Sequence, residues 1–253
     1  SRKNTERHDV FMKVYYDLHI HSCLSPCGDE DMTPNNIVNM ARLAGLDMIA
    51  LTDHNSCKNC PAILKVAERA GIVALAGMEL CTAEECHVVC LFPDIGAAME
   101  FDAMVEKTLP PIRNRPDAFG EQVIMDDGDK AAGSYETLLI TASSISIDDV
   151  ARIVGEYRGI ALPAHIDRPS YSVISALGTV PEAGFRAFEV SREGDPDRLA
   201  GVYPALRGHP ILCNSDAHEL CRIQQAEPWL ELDCARPEAL IEALNGNLKG
   251  WGR

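Results

Sequence analysis

Histidine is scarce in this chain, eight among 253 residues. Yet His19 and His21 stand one residue apart in YYDLHIHS, and Asp216 and His218 repeat that spacing in NSDAHEL. In an extended strand alternate side chains project to the same side, so each pair can offer two donor atoms to one metal ion. Four further ligand-type residues fall at the edges of apolar, β-favouring runs: His54 after IALTD, Glu79 in ALAGMEL, His165 after ALPA, and His87 opening HVVCLF. Singly, an imidazole such as His87 or His165 reads more readily as a hydrogen-bonded core residue. Together, so many charges and dipoles at strand ends would be costly to bury without a metal. Mixed imidazole and carboxylate ligands suit Zn, Mn or Fe, and a shared carboxylate can bridge neighbouring ions.

Positioning such a set requires strands that end at a common place. VYYDLHIH, DMIALTDH, IVALAGME, HVVCLF, GIALPAHI, AFEVS and PILCNSDAH read as buried strands. Between them, TPNNIVNMARLAG opens on Thr33 as an N-cap and Pro34 at the first helical position, and its apolar residues recur at helical spacing up to Gly45. CPAILKVAERAG, SIDDVARIVGEYRG and RPEALIEALNG share that form, each closing on a glycine suited to a left-handed cap. Strands followed by helices imply βα units and parallel pairing, hence a barrel or an open doubly wound α/β sheet. At a barrel's carboxyl mouth, residues far apart in sequence meet.

The stretch 94–149 interrupts this rhythm with twelve acidic residues against four basic ones. It reads as an insertion: a helix near AAMEFDAMVEKTL, a proline-rich crossing, then a hairpin pairing EQVIM with ETLLITA. Such a charge run is a solvated appendage, or else a cap over the site or a subunit contact. The whole chain carries a formal charge of -15, which repels a nucleic-acid backbone and an anionic membrane. The expected partner is therefore a small phosphorylated molecule, with no nucleic acid and no membrane. The first residues, SRKNTERHDVFMK, are polar and unlike a signal peptide, and no run is long enough to span a bilayer, so a cytoplasmic location is expected. The ten cysteines read as thiols of a reducing compartment.

In this arrangement the sequence resembles the PHP (polymerase and histidinol phosphatase) superfamily of metal-dependent phosphoesterases. The resemblance rests on DLHIHS, LTDHNS, GMEL followed by HVVCLF, and NSDAH, with LPAHIDRP in addition, in family order along nearly the whole chain. It implies a single domain over residues 14–253, a distorted (βα)7 TIM-like barrel with two or three divalent ions at the strand C-termini. Carried over, His19, His21, Glu79 and Asp216 hold a first ion, and Glu79 bridges to a second held by His87 and His165. His54 and His218 serve a third. Many relatives place an acidic residue or histidine where this chain has Pro26 and Cys27, so Cys27 stands as a substitute ligand or the third site differs.

The expected reaction is hydrolysis of a phosphomonoester by a metal-activated water, with Glu79, Asp216 and His54 at its centre. Arg168 and Arg192 are candidate phosphate clamps or surface ion pairs. Asp17 and Asp53, each beside a ligand histidine, orient imidazoles or cap turns. Cys57 and Cys60 form a CxxC pair that packs in the core or joins Cys27 in a thiol cluster. Two alternatives stand beside the phosphatase: a nuclease using the same ions, and a non-catalytic metal-binding or redox-sensing protein on the same fold.

Overall fold

A computed structural model of the chain describes residues 11–252; the polar segment 1–10, on which most of the targeting argument rests, lies outside them. Strand β1 (Met12–Ile20) enters the core and is followed by helix α1 (Pro34–Leu43). As expected, Thr33 caps α1 through its side chain and Pro34 opens it. Strand β2 (Met48–Leu51), helix α2 (Cys60–Ala70) and strand β3 (Val73–Cys81) come next, and β1, β2 and β3 pair in parallel. Helix α2 stops at Gly71, whose φ of 71° suits a residue without Cβ. Ile37, Val38 and Ala41 of α1 and Ile63, Val66 and Ala67 of α2 share one core with Ile49 and Leu51 of β2.

Parallel pairing stops at β4 (His87–Phe92), which runs antiparallel to β3. Only residues 82–86 join the two, too few for the crossover helix that a parallel neighbour needs.

The acidic insertion holds α3 (Ile95–Val105), α4 (Pro116–Phe119) and a hairpin of β5 (Val123–Met125) with β6 (Ala131–Ser134); α5 (Ile147–Glu156) begins at its end. The hairpin's second strand is not ETLLITA. Asp126 accepts from the backbone N–H groups of Gly128 and Lys130 at 2.8 and 2.9 Å, closing the turn just after Met125 and returning the chain at Ala131. Residues 135–139 instead wrap the buried Gln122, which donates to the carbonyls of Tyr135 and Thr137 and accepts from Leu139 N–H.

Nor is the insertion a solvated appendage. Val123 N–H donates to Cys23 O, Met125 N–H to Asn59 Oδ1, and the Asn55 amide to the carbonyls of Leu139 and Thr141. Gly120, at φ 101°, approaches Pro26 so closely that a Cβ would sit 2.1 Å from its carbonyl oxygen. The insertion is thus fastened to the loops that follow β1 and β2.

The second half supplies β7 (Ile160–Pro163), α6 (Val173–Leu177), β8 (Phe188–Val190), α7 (Pro196–Val202), β9 (Ile211–Cys213), β10 (Trp229–Leu232), α8 (Pro237–Glu242) and β11 (Trp251–Gly252). The large sheet has the order β11-β10-β1-β2-β3-β4-β7, and β8 and β9 form a separate parallel pair. The fold is therefore α/β, but no continuous ladder closes a (βα)7 ring among the described residues. Between β7 and β8 the link is Ile166 N–H to Glu189 O at 2.9 Å; between β9 and β1 it is a bridge of Ile20 with Ala217 and a bond from Leu18 N–H to Asn214 Oδ1. Side chains span these joints where backbone pairing lapses.

Candidate metal centre

Glu79 sits near the carboxyl end of β3, fully buried, and its carboxylate is the hub of the site. Its Oε1 lies 3.2 Å from His19 Nε2, 2.9 Å from His87 Nδ1 and 3.1 Å from His165 Nε2. Its Oε2 lies 2.9 Å from His54 Nδ1 and 3.3 Å from His21 Nε2. Asp216 Oδ1 adds a second carboxylate, 3.2 Å from His19 Nε2, 3.1 Å from His21 Nε2 and 3.5 Å from His218 Nδ1. The strand ends explain the convergence: His19 lies on β1, His21 and His54 follow β1 and β2, His165 follows β7, and Asp216 and His218 follow β9. Asp216 and His165 adopt φ of 51° and 29°, a left-handed region costly for residues with a Cβ and frequent at functional loops.

Three sets of donor atoms are close enough to share an ion: His19, His21, Glu79 and Asp216; His54, Glu79 and His87; and His21, His54 and His218. The first is the set carried over from the resemblance. In the second His54 takes the place given to His165, which touches Glu79 but stands outside the three sets. Cys27 is exposed and outside them too, though its thiol reaches His54.

Divalent ions fit these residues. Glu79 Oε2, Asp216 Oδ1 and His165 Nδ1 are buried without a hydrogen bond, although nitrogens crowd both carboxylate oxygens at 2.9–3.3 Å. A tetrahedron with Zn–N arms of about 2.0–2.1 Å has edges of about 3.3 Å, so these separations match ligands around a cation.

The electrostatics agree. Burial disfavours charge on His19, but Glu189, Glu79 and Asp216 outweigh it and hold its pKa well above the usual range. Burial likewise opposes charge on His21 and His54, yet the carboxylates raise both to about 9. His218 is the reverse, lowered to about 3 by burial and by the neighbouring His21. Its Nδ1 lies 3.0 Å from the carbonyl of Asp216, which can only accept, so Nδ1 carries the hydrogen and Nε2 a lone pair.

Sequence reading missed Glu189. It accepts from His19 Nδ1 at 2.9 Å and from the backbone N–H of His165 at 3.0 Å, while the Asn214 amide donates to its other oxygen at 2.7 Å. A glutamate in the middle of the apolar AFEVS was its only signal. Asp53 acts at one remove: Ser25 Oγ donates to it at 2.7 Å and lies 2.9 Å from His21 Nδ1. Asp17 accepts backbone N–H groups of Ser215 and Gln224, a role in bracing the β9 loop. Arg168 pairs with Asp216, and together with Arg192 and Arg222 it lines a cavity of about 310 Å³ beside His218. Cys57 and Cys60 are buried and both reach the Gly77 carbonyl, at 3.2 and 3.5 Å. Cys27 is exposed, and its thiol reaches His54 instead.

A family model described as PHP domain matches residues 17–181. A 5'-3' exoribonuclease of Haemophilus influenzae is 26% identical over 188 residues, 68% of this chain and 67% of that protein. The lesion-specific endonuclease Q of Pyrococcus furiosus superposes with a TM-score of 0.66 at 21% identity, over 93% of this chain and 56% of that one. An endonuclease Q complex with a 27-mer duplex bearing an abasic lesion at the active site gives 0.65 at 19% identity, over 93% and 57%. This chain spans little more than half the length of those endonuclease chains.

These findings overturn the expectation that nucleic acid is excluded as a partner. That expectation used the charge of the whole surface, whereas locally the cavity beside His218 gathers Arg168, Arg192 and Arg222, along with Glu193, Asp216 and Glu219. Among the described residues, no helix is long and apolar enough to cross a membrane.

Proposed function

The chain belongs to the PHP domain family, and from that premise we propose that it is a metal-dependent phosphoesterase that hydrolyses phosphodiester bonds in nucleic acid. The observation that carries this reading is the Glu79 carboxylate, touched by five imidazoles and set next to a cavity that three arginines share with three carboxylates. The names of the relatives support the choice of a nucleic acid over the small phosphomonoester expected from net charge.

His19, His21, Glu79 and Asp216 would hold one cation and His54, Glu79 and His87 another, with His21, His54 and His218 offering a third place. Zn, Mn or Fe suits this donor set. When bound, such ions supply Lewis-acid charge to phosphate oxygens and ease deprotonation of a water. The protein's own groups do the rest. Glu189 and Ser25 fix the rings of His19 and His21, so that both Nε2 atoms point at Glu79 and Asp216. Arg192 and Arg222 line the mouth and neutralise a phosphate that reaches it, and Arg168 can exchange its pairing with Asp216 for phosphate oxygens. His218, held by the bond of its Nδ1 to the Asp216 carbonyl, stands at the mouth as a member of the third set.

The test is to incubate Mn²⁺- or Zn²⁺-loaded protein with end-labelled RNA and DNA oligonucleotides, single-stranded and duplex, alongside a panel of nucleotide and sugar monophosphates. Shortening or nicking of the oligonucleotides is expected. Turnover of the monophosphates with every oligonucleotide left intact would restore the phosphatase reading.

A further inference from the structure

We infer that Tyr171 is the platform on which a nucleobase stacks when its own phosphate lies at the metal centre, an inference that rests on the nucleic-acid reading above. Tyr171 lies in the segment that joins β7 to α6, and 49% of it is exposed. Its ring lies over the imidazole of His87, centroids 4.7 Å apart and planes within 20°. His87 in turn reaches Glu79 Oε1 at 2.9 Å, so one imidazole separates the phenol from the hub of the site. Among the described residues, it is the exposed aromatic side chain in ring contact with that imidazole cluster.

The segment is built to hold the ring there. His87 N–H donates to the Tyr171 carbonyl at 2.8 Å, tying the segment to the start of β4. Ser172 Oγ donates to the Arg168 carbonyl at 2.7 Å, and Ser172 and Ser175 close a capping box that starts α6 directly after the tyrosine. Between these restraints Tyr171 takes φ 54°, a conformation that bulky residues seldom adopt and that persists where surrounding structure enforces it. The phenol has one face against His87 and about half its surface in water.

The same segment brings Arg168 to the mouth three residues earlier. It therefore presents a cation for phosphate and an aromatic face for a base. Every base has a π-face, so such a contact favours nucleotides over other phosphates while tolerating sequence. Stacking of one base on an aromatic side chain corresponds to about tenfold or more in affinity.

The experiment measures binding, independently of cleavage. Affinities of Mn²⁺-loaded wild type, Tyr171→Ala and Tyr171→Phe are measured by calorimetry for the non-hydrolysable methylenephosphonate analogues of adenosine 5'-phosphate and ribose 5-phosphate. Metal content is determined in parallel. Wild type and Tyr171→Phe should prefer the nucleoside compound by about tenfold. In Tyr171→Ala that preference should collapse to within about twofold. The inference is overturned if wild type shows no preference for the nucleoside compound, if Tyr171→Ala keeps it, or if Tyr171→Phe loses it as fully as alanine does. Intact oligonucleotides in the cleavage assay would sink the nuclease reading separately, whatever the binding preference proves to be.

Discussion

Glu189 grips His19 by the far side of its ring, Oε1 to Nδ1 at 2.9 Å, and so turns Nε2 of that ring toward Glu79 and Asp216. Carboxylates that hold a ligand imidazole in this way fix its tautomer and raise its basicity. Glu189→Gln should therefore fold normally yet bind Zn²⁺ or Mn²⁺ about 10–100-fold more weakly. Competition with a calibrated chelator measures this. Unchanged affinity would reduce Glu189 to a brace for His165 and Asn214.

Glu79 contributes to two of the three ligand sets, whereas Asp216 contributes to one. Glu79→Gln should accordingly lower the number of ions retained per chain by more than Asp216→Asn does, and should abolish hydrolysis. Elemental analysis after gel filtration gives the counts. Equal loss in the two variants would argue against a shared role for Glu79.

Stripping the ions should make stability depend on pH in a defined direction. His21 and His54 are raised to about 9 in the folded chain, above the ordinary histidine value of about 6.5. Their contribution to stability is full below the unfolded value and disappears as pH rises through about 9. Chelated protein should thus melt lower at pH 9.5 than at pH 6.5, and adding Zn²⁺ at pH 7 should release protons. Melting curves and calorimetry in buffers of different ionisation enthalpy would show both. A chelated protein that gains stability across that window contradicts the protonation assigned here.

Gly120 is where the insertion meets the loop carrying Cys27. A Cβ there would lie 2.1 Å from the Pro26 carbonyl, at a φ of 101°. Gly120→Ala should cost about 1–3 kcal/mol and raise hydrogen exchange in residues 120–125. Wild-type melting and exchange would show that the contact is easily relieved.

Cys27 is exposed, whereas Cys57 is buried and its thiol pKa is held high by that burial. Iodoacetamide should label Cys27 first and leave Cys57 and Cys60 untouched in the native fold. Because the Cys27 thiol reaches His54, ions at the neighbouring histidines should slow its labelling several-fold. Equal rates with and without chelator would place Cys27 outside the metal centre.

The residues that converge on Glu79 were legible because two simple regularities expose them. Alternation along a strand pairs His19 with His21, and a βα rhythm sends strand ends to one place. Glu189 has no such signature: one acid in a three-residue strand forms no pattern, and only its bonds to His19, His165 and Asn214 reveal it. Periodicity left a barrel and an open sheet equally possible, because it identifies strands but not their neighbours; the short β3–β4 connection decides direction there, and the full ring that the resemblance implies is not confirmed. Arg168 and Arg192 were singled out, but Tyr171 and Arg222 escaped because composition sums over the whole surface, whereas binding samples a few square nanometres of it.

The joint between β9 and β1 bears on when the site can exist at all. Leu18 and Asn214, bonded across it, are 196 positions apart, and the first ligand set takes residues from both sides of it. During synthesis the amino-terminal strands emerge long before the segment that completes their ligand sphere. Such distant pairings form late and slowly. A chain interrupted before residue 216 lacks Asp216 and His218, and with them the carboxylate that meets His19 and His21 across the joint.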